Sequence, residues 1–503
     1  MSQIAAAVAR AFQPSPFQEA IFDWVSNGTG SAVVLAVAGS GKTTTLIKAL
    51  CLMSGDIFFG AFNKKIAEEI ERKAANVPNV TVSTMHAAGF RTWRKVARDV
   101  KVNNWKCRDI FREVVGRSFF HGQFEGPVLA LVSYAKQACV GIKTPIESSD
   151  AWYNLVEHFD LDCLEDEFTV VDLAKKVLVR SNERCAKEVD FDDMIYAPLF
   201  FKARPQEYDW VLIDEAQDTN RARRMLALAM LKSGGRLIAV GDPRQNIYGF
   251  TGADSDALDQ ITSAVNAIHL PLTVSYRCPK AVVAEARKHV DHIEAHEDAI
   301  EGTVDRIHID NLVADAKAGD AILSRFNAPL MDLVYRFIAE GRAAKIEGRD
   351  IASGLKALTR RWKVKSAHAL MDKLDEHLDR EVTKFRAKEK EVQAVAVEDR
   401  VACVKLLIGR VMKTSPGCSD IVAAVCSEVD RIFGEDVGND CVLLSTLHKS
   451  KGREFDNVFI LDTGVAKWAR KEWEQISEVN CIYVGITRAM KRLTWVTLNS
   501  RSK

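Results

Sequence analysis

Ala36-Val-Ala-Gly-Ser-Gly-Lys-Thr43 is the stretch on which the reading of this chain turns. It closes the apolar run Ser31 to Val37 and leads into a helical pattern from about Thr44, the strand-to-helix setting that a phosphate loop requires. Only Ala36 departs from the pattern, standing at the usual first glycine. Gly39 and Gly41 let backbone N–H groups approach phosphate oxygens, and the start of the helix favours their negative charge. Lys42 is expected to reach the β and γ oxygens and the Thr43 hydroxyl to ligate Mg²⁺. Ala38, Gly39, Ser40, Gly41, Lys42, Thr43 and Thr44 together form the expected cradle for Mg-ATP.

Such a site needs a carboxylate to help hold the metal and a group to orient the attacking water. Val211-Leu-Ile-Asp-Glu-Ala-Gln-Asp218 offers both at the end of an apolar strand, with Asp214 on Mg²⁺ and Glu215 as base. An acidic cluster after a strand is by itself more often a solvated loop or a helix cap. Its pairing with the phosphate loop reverses that.

Further outward, short β-branched runs followed by turns and helical patterns read as buried parallel strands of an α/β fold. One set is Ser31 to Val37, Ile57 to Ala61, Thr81 to Thr84, Trp210 to Ile213 and Leu237 to Val240. A second is Ala321 to Leu323, Val442 to Ser445, Val458 to Leu461 and Leu493 to Val496. Two clusters imply two parallel-sheet cores. Trp93 to about Val189 and Ile351 to about Val429 read helical and interrupt those cores; within the second, Leu374, Leu378, Val382 and Phe385 recur at helical spacing.

With 503 residues, 47% hydrophobic and 27% charged, the chain can form several globular cores. Its 69 Lys+Arg balance 68 Asp+Glu, so nucleic-acid binding has to come from local grooves. The 11 cysteines are scattered without a C-x-x-C pair, which argues for reduced thiols. No apolar run of about 18 residues occurs and Met1 to Arg10 lacks a secretory pattern, so a soluble, cytoplasmic protein without membrane attachment is expected.

Asp214-Glu-Ala-Gln-Asp218 resembles motif II of the UvrD/Rep group of superfamily 1 DNA helicases, and further motifs of that family follow in order. Gln18 in Pro14-Ser-Pro-Phe-Gln18 looks like the adenine-reading glutamine. Ala61-Phe-Asn-Lys-Lys65 and Ser83-Thr-Met-His86 look like motifs Ia and Ib, and Val240-Gly-Asp-Pro-Arg-Gln-Asn-Ile-Tyr-Gly-Phe250 like motif III. Val274-Ser-Tyr-Arg-Cys278, Ser445-Thr-Leu-His-Lys-Ser-Lys-Gly-Arg-Glu-Phe455 and Tyr483-Val-Gly-Ile-Thr-Arg-Ala-Met490 resemble motifs IV, V and VI.

The resemblance implies two RecA-like cores, each with a mainly helical insertion. The expected layout is a first core at 1–92 and 190–270 around an insertion at 93–189. A second core at 271–335 and 441–503 surrounds an insertion at 336–440. Gln245 would sense the γ-phosphate, Arg277 and Arg488 would act as arginine fingers, Tyr276 would stack on adenine and Glu454 would touch the ribose. Phe62, Asn63, Thr84, His86, Tyr248, Phe250 and His448 are the implied DNA contacts, the aromatics because every base offers a stacking face. The implied activity is an ATP-dependent helicase or translocase on single-stranded DNA and single-strand/duplex junctions, moving 3′ to 5′.

Some features set the chain apart from other readings. Gln217 distinguishes Asp214-Glu-Ala-Gln217 from the Asp-Glu-Ala-Asp of RNA helicases, and the end at Lys503, soon after motif VI, leaves no expected nuclease tail. A motor subunit that does not itself unwind keeps every motif. Gly249 and Thr251 stand where the family often has arginine. Arg360-Arg-Trp-Lys-Val-Lys365 is a basic stretch that serves equally as a duplex-phosphate contact or a solvated surface.

Overall fold

The computed structural model describes residues 13–498 apart from 117–118, 160, 165, 248–255, 341, 348, 389, 434–440 and 464–471. It divides into two compact units, Met1–Thr273 and Val274–Lys503.

In the first unit the strands are β1 (Ala32–Ala36), β2 (Ile57–Ala61), β3 (Val80–Thr84), β4 (Lys101–Val102), β5 (Glu188–Val189), β6 (Tyr208–Ile213), β7 (Leu231–Gly241) and β8 (Ile268–Leu272). Six of them make a sheet in the order β3-β2-β6-β7-β1-β8, every neighbouring pair parallel. Both faces of such a sheet must be covered, and the period-2 alternation of side chains divides the strand residues between two cores. Val34, Phe59, Leu212 and Val240 pack with Ile21, Trp24, Leu46 and Ile70. Val33, Phe58, Val211 and Ala239 pack with Met85, Leu226 and Ile261.

Between β3 and β6 lies the helical insertion, built mainly from Lys106–Val115, Glu125–Gln137, Ser149–His158 and Glu167–Arg184 around Phe124, Leu131, Trp152 and Val177. β4 and β5 form a separate two-stranded piece there. The insertion also buries charge. Lys106 Nζ lies 2.7 Å from Asp193 Oδ2, and Lys136 Nζ lies 2.6 Å from Asp190 Oδ2 and 2.7 Å from Asp193 Oδ1. Buried ions persist only when paired in this way, and losing one partner leaves the other uncompensated.

The second unit holds β9 (Val274–Ser275), β10 (Glu294–Ala295), β11 (Thr303–His308), β12 (Ala321–Ser324), β13 (Ala344–Ile346), β14 (Val442–Thr446), β15 (Phe455–Asp462) and β16 (Ala489–Thr497). Its main sheet runs β11-β16-β15-β12-β14-β13, again all parallel. Helices Arg349–Arg360, Ala367–Ala387, Glu391–Thr414 and Ile421–Phe433 form its insertion and share one core with the sheet, Leu355, Leu374 and Leu407 packing with Ile322 and Leu444. Of the helical stripe read from sequence, Leu374, Val382 and Phe385 are buried and Leu378 is half-buried.

Some boundaries differ from the expected layout. The step at 92–93 falls inside helix Met85–Val96, and that at 335–336 inside helix Ala328–Ala339. All described cysteines are free. Among the described residues no helix is long and apolar enough to cross a membrane.

Candidate functional site

The phosphate loop leaves β1 at Ala36 and enters the helix at Lys42. Its turn needs two left-handed residues, supplied by Gly39 (φ 71°) and Gly41 (φ 77°), where a side chain would be strained. Gly41 is also the cap position and carries no side chain, so nothing from that residue occupies the N–H groups of the first turn. Ala38 and Ser40 are buried, the Ser40 hydroxyl donating to Val37 O at 2.8 Å, while Thr44 is exposed.

β6 delivers the acidic pair to this loop. Thr43 Oγ1 donates to Asp214 Oδ2 at 2.6 Å, and Lys42 Nζ lies 3.0 Å from Glu215 Oε2. Burial, then repulsion from Glu215, pushes the Asp214 carboxyl up to about 6. Burial alone would lower Lys42, but Glu215, Asp242 and Asp214 outweigh it and hold the ammonium above its usual range. Glu215 sits in the left-handed region (φ 52°, ψ 45°), a conformation uncommon outside glycine, asparagine and aspartate and one that often marks function.

Hydrogen bonds carry this pair into motif III. Gln217 Nε2 donates to Glu215 Oε2 at 2.6 Å, its Oε1 accepts from Asp242 N at 3.1 Å, and Gln245 Nε2 donates to Asp242 Oδ2 at 2.7 Å. A Cβ on Gly241 would stand 2.5 Å from Gln217 Oε1, so only glycine leaves room for that amide. The sequence reading used Gln217 only to name a family and missed Asp242. Both bury polar groups at a strand end, which is the available signal.

Gln18 is buried in the first helix, where Ser15 and Gln18 complete a capping box and Gln18 Nε2 donates to Thr45 Oγ1 at 2.8 Å. Thr45 ties this residue to the helix of the phosphate loop. For Mg²⁺ the donors fit: a hydroxyl and a carboxylate oxygen in contact are hard ligands, and Mg²⁺ takes few protein oxygens and completes its shell with water and phosphate. No cluster of three or more acidic, His or Cys ligands competes for it among the described residues.

The expected DNA contacts of the first unit are spread along strand ends. Phe62 is 43% exposed after β2. Asn63 and Thr84 use their side-chain oxygens as helix caps, accepting from Ile66 N at 2.9 Å and Ala87 N at 3.2 Å. His86 stacks on Phe191, centroids 3.8 Å apart at 20°, and burial followed by Arg223 pushes its pKa down to about 3, leaving a neutral ring. Phe191, unmarked in the sequence reading, is 56% exposed. Tyr248, Gly249, Phe250 and Thr251 lie outside the described residues.

In the second unit, Arg277 NH2 donates to Glu454 Oε1 at 2.6 Å and Tyr276 is 40% exposed beside His296. Arg488 is only 1% exposed. Its Nε donates to Val484 O at 2.8 Å, NH1 to Arg453 O at 3.0 Å and NH2 to Thr487 Oγ1 at 3.2 Å, acceptors that a buried guanidinium requires. His448 lies 3.3 Å from Cys481 Sγ, and burial, then Arg325 and Lys451, pushes it down to about 3. In the basic stretch, Arg360, Arg361, Lys363 and Lys365 are exposed, while Trp362 turns inward, edge-on to His377.

Residues 18–266 match the UvrD/REP helicase N-terminal domain and residues 362–500 the UvrD-like helicase C-terminal domain. Among similar proteins, the F-box DNA helicase 1 of Gallus gallus is 25% identical, covering 92% of this chain and 46% of its own length. A probable DNA helicase II homolog of Mycoplasma capricolum is 24% identical over 50% of this chain and 37% of its own length. The ATP-dependent DNA helicase PcrA of Bacillus subtilis is 24% identical over 52% of this chain and 38% of its own length. The chain thus spans less than half the length of these curated relatives.

Proposed function

The chain belongs to the UvrD/Rep family of helicases, and from that membership we propose that it hydrolyses Mg-ATP to move along single-stranded DNA in the 3′ to 5′ direction and to open duplex at junctions. The observation that carries the chemistry is the meeting of Lys42 with Glu215 and of Thr43 with Asp214 at the end of β6.

When bound, Mg²⁺ would neutralise phosphate charge, and Thr43 and Asp214 are the residues that would hold it. Lys42 leaves Glu215 for the β and γ oxygens. Glu215, still held by Gln217, orients the attacking water and accepts its proton. Gln245, tied to Asp242, senses the γ-phosphate, and Gln18 reads adenine. Arg277 and Arg488 of the second unit supply the transition-state charge that Lys42 alone leaves uncovered, with Tyr276 on the adenine and Glu454 on the ribose. Phe62, Asn63, Thr84, His86, Tyr248, Phe250 and His448 follow the strand.

ATP hydrolysis measured with single-stranded DNA, with RNA and without nucleic acid tests this reading, and single-stranded DNA should stimulate most. Strand displacement on 3′-tailed and 5′-tailed duplexes then decides direction. An ATPase that no nucleic acid stimulates refutes the proposal.

A further inference from the structure

Arg223 takes part in none of the chemistry above, yet it is placed between two parts of it. It is the third residue of helix Arg221–Ala229, with its N–H donated to the capping Asn220 Oδ1 at 3.0 Å. Its NH1 donates to Asp218 O at 3.2 Å. That carbonyl ends the short 3₁₀ turn Ala216–Asp218, whose Asp218 N–H donates to Glu215 O at 3.0 Å. The guanidinium thus grips the turn that carries Glu215.

Through its backbone Arg223 is also tied toward the helical insertion, because the Asn220 that caps it donates to Gln137. Asp192 and Asp218 are the charges that act on Arg223, and Arg223 is the charge that acts on His86. Asp192 follows Phe191, the exposed ring stacked on His86, and accepts from Ser133 Oγ at 2.5 Å and Gln137 Nε2 at 3.2 Å. Gln137 Oε1 in turn accepts from Asn220 Nδ2 at 3.2 Å. The segment that carries Phe191 is therefore joined to the Glu215 turn by hydrogen bonds running through Asp192, Gln137, Asn220 and Arg223.

Arg223 Nε is buried without a hydrogen-bond partner. Leaving a charged group's donor unsatisfied costs stability, and a residue serving only to close the turn would gain by presenting fewer donors. A guanidinium with NH1 on the turn and Nε unsatisfied can change partners when its neighbours shift.

We propose that Arg223 is a positioning residue that transmits strand contact at His86 and Phe191 to the turn holding Glu215, so that nucleic acid sets the orientation of the hydrolytic base. The inference rests on the reading of His86 as a DNA contact. A strand laid on the ring pair shifts Asp192. Gln137 and Asn220 follow it, Arg223 follows Asn220, and the Asp218 carbonyl follows Arg223.

The test uses the full chain and its Arg223→Met variant, with oligo-dT as the nucleic acid. It compares the ATPase rate without DNA, the rate at saturating DNA, the KM for ATP and the DNA concentration for half-maximal stimulation. R223M should keep the DNA-free rate and the KM within twofold and the half-saturating DNA within threefold. Its rate at saturating DNA should fall at least tenfold. Arg223→Gln, which retains a donor for Asp218 O, should fall less, and it decides by the same ratio if R223M does not fold. A variant whose DNA-free and DNA-saturated rates fall together, or whose stimulation equals wild type, overturns the proposal. Absence of stimulation in the wild type instead overturns the functional reading on which it rests.

Discussion

Gln217→Leu isolates the hydrogen bonds that hold Glu215, because leucine keeps most of the side-chain volume and removes both polar contacts. Gln217 is 2% exposed, so water does not replace what is lost. The bond from Nε2 to Glu215 Oε2 at 2.6 Å ends on a carboxylate, and such bonds contribute about 1.5–3 kcal/mol. The Asp242 N–H, now donating to Oε1 at 3.1 Å, would be left buried and unpaired at a cost of about 1–3 kcal/mol. The sum is roughly 2.5–6 kcal/mol off the stability of the first unit. The rate effect is narrower. Once Lys42 turns to phosphate, the Gln217 amide still holds that Glu215 oxygen. Loss of about 1.5–3 kcal/mol of orientation at about 1.36 kcal/mol per tenfold lowers kcat roughly ten- to a hundredfold. Steady-state phosphate release at saturating ATP and single-stranded DNA measures this, with urea unfolding to show that the variant is folded under assay conditions. A folded Q217L with kcat within twofold of wild type would refute the claim that Gln217 orients Glu215.

Lys42→Ala should abolish turnover while the protein stays folded, and DNA-stimulated hydrolysis at the wild-type rate would remove the phosphate-loop assignment. Arg236→Lys should destabilise the first unit by about 2–4 kcal/mol in urea unfolding without changing the KM for ATP. Arg236 serves three carbonyls, Gly30 O, Val25 O and Trp24 O, at 2.9–3.0 Å and lies 4.2 and 4.3 Å from the Trp24 and Trp210 rings, which one ammonium cannot match. Asp192→Asn should change the pH dependence of stability. Burial, then repulsion from Asp190, with Asp193 adding to it against Lys136 and the Ser133 hydroxyl, raises this carboxyl to about 6 from an unfolded value near 3.8. Between those values the folded state binds the extra proton, so wild type loses stability as pH rises through the window, and D192N lacks that loss. Unfolding free energies at pH 4.5 and 6.5 that differ equally in both proteins would contradict it.

The strands that sequence reading found and missed divide by position. Of the strands it named in the first sheet, β1, β2, β6 and β7 lie between two neighbours, while β3 is an edge that its β-branched residues still marked. The missed β8, β11 and β13 are all edges of the two sheets. An edge strand has one free side and tolerates residues a central strand cannot: Pro271 and His269 in β8, and Asp305 and Arg306 in β11. The contiguous motifs were equally legible, since Lys42, Thr43, Asp214 and Glu215 follow from local chemistry. Side-chain pairings across the fold were not. Gln217 with Asp242, Gln18 with Thr45 and Phe191 with His86 join residues 25, 27 and 105 positions apart, and only the register of the sheet and the path of the insertion bring them together. Asn63 and Thr84 show the opposite case, because their capping roles were local and were passed over for a role in binding.

Charge at the phosphate loop explains why the first unit should not suffice for rapid hydrolysis. Asp214, Glu215 and Asp242 all act on one ammonium, Lys42. Three carboxylates around one cation leave a surplus of negative charge, which burial makes expensive and which the raised Asp214 carboxyl expresses. A divalent cation relieves that surplus, which is why the donor set suits Mg²⁺. It does not relieve the charge that a triphosphate brings, and Lys42, which acts on both Asp214 and Asp242, is already shared among three carboxylates. Cations must therefore come from elsewhere before the γ-phosphate can leave at speed. Under the proposed reading they are Arg277 and Arg488, whose donors are already engaged by Glu454 and by backbone acceptors within the second unit. Drawing them to phosphate means breaking those bonds, so the rate is set by whatever rearranges the second unit as well as by the groups on the loop.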